Sequence, residues 1–298
     1  MSSKEGIGHE AKQAAALEEV FDRIHYREFK ILLKPEAFMD LETDVRDYWK
    51  LARSVARQNS AVVSEARNAG VALLREVVFF DTPGANLYAE GYMLRKRAPY
   101  VHGKPGLHFE LVLKYRGPDV RRAAGVNVQA APQYEGVVKF KEELLLVADH
   151  LGGMRSIFSH TCKLKEHRWE LGSRLSEATR MFPGLEELKA LPTATIRPVG
   201  EMHVEEVLFE LGSIDFGGRA ADVNMAVWRD ATTKQILIGE FSFETHFRRY
   251  GKLEPQPKLR SERFYRLLQK ETTAWVDLGT TKTALVYALA GTKLTHHE

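Results

Sequence analysis

The sequence predicts an α+β protein built on one antiparallel β-sheet of eight or nine strands, with helices packed on the outside. Two observations lead to this fold class. Segments in which apolar and charged side chains alternate every two residues recur from residue 26 to residue 246, whereas segments with helical periodicity are few and separate. A doubly wound parallel sheet does not fit, because it would need a helix after almost every strand.

The composition is that of a soluble globular chain. The 298 residues include 43 Lys and Arg against 40 Asp and Glu, a net charge of +3, and 44% are hydrophobic. A general nucleic-acid-binding protein would show a large basic excess, so nucleic acid is not expected as a partner. The single cysteine, Cys162, cannot form an intrachain disulfide, which is typical of a reducing compartment.

The chain is also expected to make no contact with a membrane. No segment approaches the roughly 18 uncharged apolar residues that a membrane helix needs. The N-terminal sequence has no apolar run that would serve as a signal peptide. These observations predict a cytoplasmic protein.

Three regions are predicted along the chain. Residues 1–25, with a run of alanines, form a helical or loose lead-in. Residues 26–250 form the sheet domain. Residues 251–298 form a helical extension that packs on the sheet, because Trp275 and the run from residue 280 to residue 289 indicate two closing helices.

The sheet domain begins with a strand and a helix. In YREFKILLK the residues Glu28 and Lys30 share one face, and Phe29 lies on the other, which is typical of a strand with one dry and one wet face. Pro35 suits the first turn of a helix. Apolar residues at helical spacing then predict a packing helix as far as about Arg57.

The next strands are predicted in REVVFFDT, GYMLRKR and HFELVLKYR, with Pro-Gly turn signals between them. Their charged faces carry Arg95 and Arg97 on one strand and Lys114 on the next. Residues 117–135, rich in Gly, Pro and Ala, are expected to form a long mobile loop. VVKFKEELLL follows as a strand with Lys139 and Lys141 in phase.

A helical segment is predicted from about Asp149 to Phe182, with breaks near Gly152 and Gly153. Strand character returns in TATIR, EEVLFEL, DVNMAVWR and ILIGEFSFETH. The charged side chains that share a face on these last strands are Arg197, Glu206, Glu210, Glu240 and Glu244.

Nine basic and six acidic side chains share the charged faces of these strands. The basic ones are Lys30, Lys34, Arg95, Arg97, Lys114, Arg116, Lys139, Lys141 and Arg197, and the acidic ones are Glu28, Glu110, Glu143, Glu210, Glu240 and Glu244. An open sheet with one face in water alternates in the same way, so alternation leaves both arrangements open. In a closed barrel the charged face would point inward, and desolvated charges need partners. A triphosphate with a divalent cation would balance such a lining.

Four segments, in this order, resemble those of the CYTH superfamily, also called the triphosphate tunnel metalloenzymes. VVFFDTPGANLYAEGYMLRKR is similar to the family's strand that ends in Phe-Asp-Thr and is followed by Leu-Arg-x-Arg, and FELVLKYRGP is similar to its lysine-bearing fourth strand. VLFELGSIDF is similar to a later acidic strand, and IGEFSFE to the closing strand with alternating glutamates. The resemblance runs from about Tyr26 to Glu244. The family includes inorganic, thiamine and RNA triphosphatases and class IV adenylate cyclases.

The chain departs from the family pattern at three places. The family's first strand carries Glu-x-Glu-x-Lys, and here Tyr26 stands at the first glutamate, so the signature is degenerate. Ser242 stands where the closing strand often has a middle glutamate. Lys141-x-Glu143 only approximates the family's Arg-x-Glu.

The resemblance implies a closed barrel whose interior is a tunnel, and a metal-dependent hydrolase of inorganic tripolyphosphate or of an organic or nucleoside triphosphate. A non-catalytic polyphosphate- or nucleotide-binding module and a class IV-type adenylate cyclase are the alternatives. By this resemblance, Mg²⁺ or Mn²⁺ is expected at Glu28, Glu240 and Glu244. The expected phosphate-binding residues are Arg95, Arg97, Lys114, Lys139, Lys141 and Arg197. The catalytic candidates are Glu28, Lys30, Glu210 and Glu240, and Glu210 or Glu240 would orient the attacking water.

Two tyrosines lie beside basic residues, and either would suit stacking on a base or a thiamine ring. These are Tyr92 and Tyr115. Packing in the core or at its edge is the simpler interpretation of both.

Overall fold

The computed structural model describes residues 16–167, 174–188, 193–250 and 254–292. The strands are β1 Tyr26–Leu33, β2 Val62–Glu65, β3 Ala72–Asp81, β4 Tyr92–Val101, β5 Lys104–Pro105, β6 Phe109–Gly117, β7 Gly136–Val147, β8 His150–His167, β9 Arg197–Pro198, β10 Val204–Asp215, β11 Ala220–Asp230 and β12 Ile236–His246. The helices are α1 Leu41–Gln58, α2 Asn86–Ala89, α3 Val120–Gly125, α4 Leu175–Met181, α5 Pro255–Glu271 and α6 Lys282–Leu289. Of the predicted lead-in, residues 16–21 are helical and residues 1–15 lie outside the described part.

Nine of these strands pair with a neighbour on both sides and form a ring-like sheet. The order around the ring is β1, β7, β8, β6, β4, β3, β10, β11, β12 and back to β1. The pairing of β3 with β10 runs from Val77 opposite Val204 to Ala72 opposite Phe209. The short strands β2, β5 and β9 add to β10, β4 and β3 at the margins of the ring. The predicted α+β class with nine strands and outer helices is what the structure has.

One pair in the ring is parallel, that of β1 with β7, and the other eight pairs are antiparallel. The prediction of an antiparallel sheet throughout is therefore wrong at this pair. The reason is geometric, since each antiparallel pairing reverses the strand direction. An odd number of reversals around a ring cannot return to the starting direction, so a ring of nine strands must contain at least one parallel pair.

Helices α1 and α5 cover one part of the outer surface. The predicted helix after Pro35 is α1, which the side chain of Asp40 caps by accepting a hydrogen bond from the amide of Thr43 at 2.8 Å. Aromatic side chains on the outer faces of β1 and β12 pack beneath these helices. The Phe241 ring lies 5.2 Å from that of Tyr48 in α1. This layer buries the apolar face of the first and last ring strands, which leaves their charged faces for the interior.

A second outer layer lies over β4, β6 and β8 and includes α3 and α4. It contains residues 117–135, which are not the mobile loop that was predicted. Asp119 caps α3, its carboxylate accepting hydrogen bonds from the amides of Arg121 and Arg122. Ala123 and Val128 are fully buried, so the small side chains of this segment pack closely on the sheet. Their composition had suggested a loop because it lacks large apolar residues.

The predicted helical segment from Asp149 to Phe182 is wrong over most of its length, because residues 150–167 form β8 and, of the described residues that follow in this range, the α-helical ones are Leu175–Met181. Residues 168–173 lie outside the described part. Asp149 (φ 57°) and Gly152 (φ 82°) adopt left-handed backbone conformations and turn the chain back onto β7. The following side chains alternate between the cavity and the outer core, as they do on the neighbouring strands.

The C-terminal helices pack against the ring, and Trp275 lies between α5 and α6. Thr281 caps α6 by accepting a hydrogen bond from the amide of Ala284 at 3.1 Å. Further along α6, the Tyr287 hydroxyl donates to Asp81 at the end of β3 over 2.9 Å. None of the described helices is long and apolar enough to cross a membrane.

Candidate functional site

A cavity of about 880 Å³ lies within the ring, and each of the nine ring strands contributes side chains to its lining. Eleven lysines and arginines and five glutamates of the described residues line it, which leaves a formal excess of six positive charges. The basic residues are Lys30, Arg75, Arg95, Arg97, Lys114, Arg116, Lys139, Lys141, Arg155, Lys163 and Lys282, and the acidic ones are Glu28, Glu143, Glu206, Glu210 and Glu240. Such an excess in a partly enclosed volume favours an anion.

Nine of the eleven predicted site residues line this cavity. They are Glu28, Lys30, Arg95, Arg97, Lys114, Lys139, Lys141, Glu210 and Glu240. Period-two alternation brings them together, because every second side chain of a ring strand points to the same side of the sheet.

Arg197 and Glu244 are the two exceptions. Arg197 was predicted to bind phosphate, but it lies in β9, a two-residue strand that adds to β3 only, and its side chain is exposed outside the cavity. The TATIR segment contains too few paired residues to form a strand of the ring. Glu244 is on a ring strand and contacts the lining residue Lys141 without lining the cavity itself.

Glu143 is a fully buried acid of the lining, with a side chain 1% exposed. Its carboxylate accepts hydrogen bonds from Lys114, from Arg116 at 2.9 Å and from the Ser159 hydroxyl at 2.7 Å, and Lys30 lies 3.4 Å away. Burial by itself would raise the pKa of Glu143, but the three surrounding cations outweigh it and hold the pKa well below the usual range. Glu143 therefore stays ionised and neutralises part of the basic lining.

Glu206 forms a second acidic centre on β10. It binds Arg75, accepts a hydrogen bond from the Trp228 indole at 3.0 Å, and lies 3.8 Å from the ammonium of Lys282. Burial would raise the pKa of Glu206, but Arg97, Arg75 and Lys282 hold it well below the usual range. Lys282 comes from the first turn of α6, so the C-terminal region supplies a cation to the cavity.

Glu28 and Glu244 form a third acidic group, directly opposite each other on β1 and β12. Both pair with Lys141, whose ammonium lies 3.2 Å from Glu28, and Glu28 also has Lys30 at 3.4 Å. Burial opposes ionisation of Glu28, but Lys141 and Lys30 lower its pKa to about 2. The carboxylate is therefore ionised at neutral pH.

Arg95 and Arg97 lie side by side on β4 and face the cavity. Neither forms an ion pair with a carboxylate in the part of the chain that the structure describes. The Nε atom of each is buried without a hydrogen-bond partner among those same residues. Burial, together with neighbouring cations, lowers the pKa of both guanidinium groups. Buried charges of this kind need a partner, and a bound anion would provide it.

The three expected metal ligands do not form one centre. Among the described residues, no group of three or more His, Cys, Asp and Glu side chains is placed to hold a metal ion. Glu240 lies four residues from Glu244, about 13 Å along β12, and pairs with Lys282 at 2.8 Å. Glu28 and Glu244 are adjacent, and two carboxylates are enough for Mg²⁺ when phosphate oxygens and waters complete its coordination. This pair fits a metal that arrives with a phosphate ligand.

Four cationic residues of the lining were not predicted: Arg75, Arg155, Lys163 and Lys282. Arg75 shares its face with Val77 and Phe79, so the alternation on β3 is apolar on both sides and gives no signal. Arg155 and Lys163 lie on β8, a segment for which the sequence pattern predicts a helix, so strand periodicity does not identify them. Lys282 reaches the cavity from a helix outside the sheet, and strand periodicity contains no information about it.

Comparison with known proteins finds structural neighbours only, since no family model and no curated protein sequence matches the chain. One neighbour is a candidate adenylyl cyclase from Hippeastrum, described as having a dominant triphosphatase activity, with 12% identity, a TM-score of 0.44, and coverage of 92% of this chain and 100% of its own. A candidate adenylate cyclase from Bacillus halodurans has 12% identity and a TM-score of 0.36, over 87% of this chain and 95% of its own. A third neighbour, a candidate adenylate cyclase from Vibrio parahaemolyticus, has 10% identity and a TM-score of 0.34, over 88% of this chain and 98% of its own.

Proposed function

We propose that the ring encloses a tunnel of the CYTH type in which this chain binds and hydrolyses a triphosphate with the help of Mg²⁺ or Mn²⁺. The observation that carries the proposal is the pair Arg95 and Arg97, which are half-buried with buried Nε atoms, point to the cavity and lack a carboxylate ion-pair partner among the described residues. An enclosed lining with a formal excess of six positive charges suits a ligand with several negative charges. A triphosphate matches this excess better than a monophosphate does.

We assign different roles in phosphate binding to different basic residues. Arg95 and Arg97, adjacent inward positions of β4, can each present two N–H groups to phosphate oxygens. Lys114 lies across from Met93 on the paired strand β6 and is held by Glu143. Burial and the neighbouring Arg116 lower the pKa of Lys114 well below its ordinary value. A bound phosphate would favour the charged form of this lysine.

The proposed metal ligands are Glu28 and Glu244, which face each other and both contact Lys141. A divalent cation held there with phosphate oxygens would neutralise charge that develops on the phosphoryl group. Lys141 occupies the space between the two carboxylates in this structure. On metal binding its ammonium would turn toward phosphate, as expected for a flexible side chain of this length.

Glu210 is the better of the two candidates for orienting the attacking water. It lines the cavity, is exposed to solvent, and forms no ion pair within the described residues. Glu240 is 8% exposed and is engaged by Lys282. A carboxylate that is free of a cation partner is a better hydrogen-bond acceptor for water.

A binding module without turnover is the second candidate function. The observation that favours it is that all three expected metal-binding carboxylates already have a lysine partner, Lys141 for Glu28 and Glu244 and Lys282 for Glu240. If these lysines stay in place, they neutralise the carboxylates and no metal binds. Polyphosphate would still be attracted by the remaining cations.

A turnover assay separates the candidates. Purified protein would be incubated with tripolyphosphate, thiamine triphosphate and ATP, each with Mg²⁺, with Mn²⁺ or with a chelator, and phosphate and cyclic AMP would be measured. Metal-dependent phosphate release that Glu28→Gln abolishes supports the hydrolase, and cyclic AMP formation supports a cyclase. Binding without any product supports the module.

A pair of matched variants tests the observation behind the proposal. Arg95→Ala should weaken tripolyphosphate binding about 10- to 100-fold, measured by calorimetry, whereas Arg197→Ala should leave it unchanged because Arg197 lies outside the cavity. Equal effects of the two variants would contradict phosphate binding in the cavity.

A further inference from the structure

A pair of stacked rings lies where β1 and β12 meet the rim of the cavity. Tyr26 and His246 are opposite each other in the last residue pair of these strands. Their ring centroids are 4.7 Å apart with an interplanar angle of 24°, a stacked arrangement. Tyr26 is half-buried and His246 is exposed. Both side chains share the inward-facing phase of their strands with Glu28 and Glu244.

Two lysines of the cavity lining lie against this ring pair. The ammonium of Lys139 is 4.4 Å from the centroid of the Tyr26 ring, and that of Lys141 is 5.5 Å away. Lys139 forms no ion pair in the described part of the chain, so the ring is its observed partner. Phosphate would be a stronger partner than the ring, because a charge-assisted hydrogen bond replaces a cation–π contact. The ring pair therefore adjoins the cations that we assign to phosphate.

Other aromatic residues near the cavity are not available for stacking. Tyr92 and Tyr115, considered from the sequence, are buried in the outer core, with ring centroids 5.3 Å apart at 69°. Trp228 and Phe79 line the cavity, but both side chains are buried, and the Trp228 indole donates a hydrogen bond to Glu206. In the Tyr26–His246 pair the His246 ring is exposed to solvent, and the half-buried Tyr26 adjoins the basic lining.

We propose, resting on the proposed triphosphate site, that the Tyr26–His246 pair is a stacking platform for the base of a nucleoside triphosphate. The base would stack on the ring pair, and Lys139 and Lys141 would contact the phosphate nearest the ribose. Arg95 and Arg97, deeper in the cavity, would bind the phosphates beyond it. The substrate class that this geometry selects is a nucleoside triphosphate in preference to inorganic tripolyphosphate.

The size of the cavity agrees with this assignment. Pockets for ligands of nucleotide size span about 300–1,000 Å³, and the cavity of about 880 Å³ lies toward the upper end of that range. Three phosphates alone would fill only a part of it. Stacking on aromatic side chains tolerates any base, since every base has a flat face, so the platform selects for a base without selecting which one.

The test is equilibrium binding by calorimetry with three ligands: ATP, ribose 5-triphosphate, which lacks the base, and tripolyphosphate. The unmodified protein should bind ATP more tightly than ribose 5-triphosphate by about 5- to 150-fold, the value of one stacked base. Tyr26→Ala should remove most of this difference and leave tripolyphosphate binding within about twofold of the original. Tyr26→Phe, which keeps the ring, should preserve the difference, and His246→Ala should reduce it.

Each outcome has a distinct meaning. Equal affinity for ATP and ribose 5-triphosphate in the unmodified protein, with tight binding of tripolyphosphate, overturns the platform and leaves the triphosphate site standing. If Tyr26→Ala melts at the original temperature and loses ATP and tripolyphosphate affinity to the same extent, the platform is also overturned. If Tyr26→Ala melts at a lower temperature, the other two variants are used instead. The platform is then overturned if Tyr26→Phe loses the preference for ATP or if His246→Ala keeps it in full. Absence of binding by all three ligands overturns both proposals.

Discussion

Two groups of cations in the cavity contrast with each other. Around Glu143, the cations Lys114 and Arg116 are held directly by a buried carboxylate. On β4, the half-buried Arg95 and Arg97 form no ion pair with a carboxylate among the described residues, and Glu206 acts on them only at longer range. The first group is ion-paired within the protein, and the second group has guanidinium N–H groups left for a bound anion. The difference shows which part of the lining maintains the fold and which part is kept for a ligand.

Removing the Glu143 carboxylate should have the largest effect on stability, because it takes away the ion-pair partner of the first group. Glu143→Gln would leave Lys114 and Arg116 without their ion-pair partner and Lys30 with Glu28 alone, and breaking a buried ion pair on one side costs about 3–5 kcal/mol. The free energy of unfolding, measured in urea, should fall by this amount. Glu210→Gln is the control, because Glu210 is exposed and forms no ion pair in the described structure. A loss of less than about 1 kcal/mol in Glu143→Gln would show that the first group is not balanced by this residue.

The next effect is a loss of stability in acid that originates at Glu28. Its pKa is about 2 in the folded chain, against about 4.3 for an unperturbed glutamate. Because the folded value is depressed, the unfolded chain binds the proton more readily, and the stabilisation is present above about pH 4.3 and lost as the pH falls toward 2. The contribution is roughly 3 kcal/mol. Urea titrations between pH 6 and pH 2 should show a smaller decline in Glu28→Gln than in the original chain.

Replacing an unpaired arginine should change binding more than stability. Arg95→Met removes a charge that has no carboxylate partner, so the unfolding free energy should stay equal or rise by about 1 kcal/mol. Affinity for tripolyphosphate should fall about 10- to 100-fold, the value of a charge-assisted hydrogen bond. Calorimetry checks the affinity for tripolyphosphate, and urea unfolding of the same sample checks the free energy of unfolding. A clear loss of stability would place Arg95 in the first group of cations.

The smallest effect is expected for an ion pair at the rim of the cavity. Lys163 contacts Glu110 at 2.9 Å, and both side chains are about 30% exposed. Lys163→Met should cost between 0 and about 1 kcal/mol of unfolding free energy, because solvent and salt screen exposed pairs. Thermal unfolding at low and high salt measures this loss of unfolding free energy. A loss comparable to that of Glu143→Gln would mean that exposure does not distinguish the two pairs.

Much of the cavity could be predicted because strand periodicity determines the face on which a side chain lies. Periodicity put Glu28, Lys114 and Lys141 on the charged faces of their strands, and the resemblance to the CYTH family supplied the expectation that these faces point inward. Strand periodicity did not identify cavity residues on strands with two apolar faces or on helices. Arg75 shares a face with apolar residues, and Lys282 belongs to a helix that reaches the cavity from outside the sheet.

Pairing partners were harder to predict than faces. Periodicity shows that a segment is a strand, but it does not show which strand lies beside it, so the parallel pair of β1 and β7 had no signal. Arg197 was misplaced for a related reason, since TATIR has the composition of a strand but pairs over two residues only. The Tyr26–His246 stack was missed because it depends on the register between the first and last strands of the ring.

The pairing of β1 with β12 also has a consequence for how the protein is made. During synthesis β1 leaves the ribosome early, but its two partners are β7 and β12, which follow much later in the chain. Until then its edge and the aromatic residue Phe29 are without their final cover. Contacts so distant in sequence slow folding and expose the nascent chain to aggregation. We therefore expect the newly made chain to depend on molecular chaperones until its last strand has emerged.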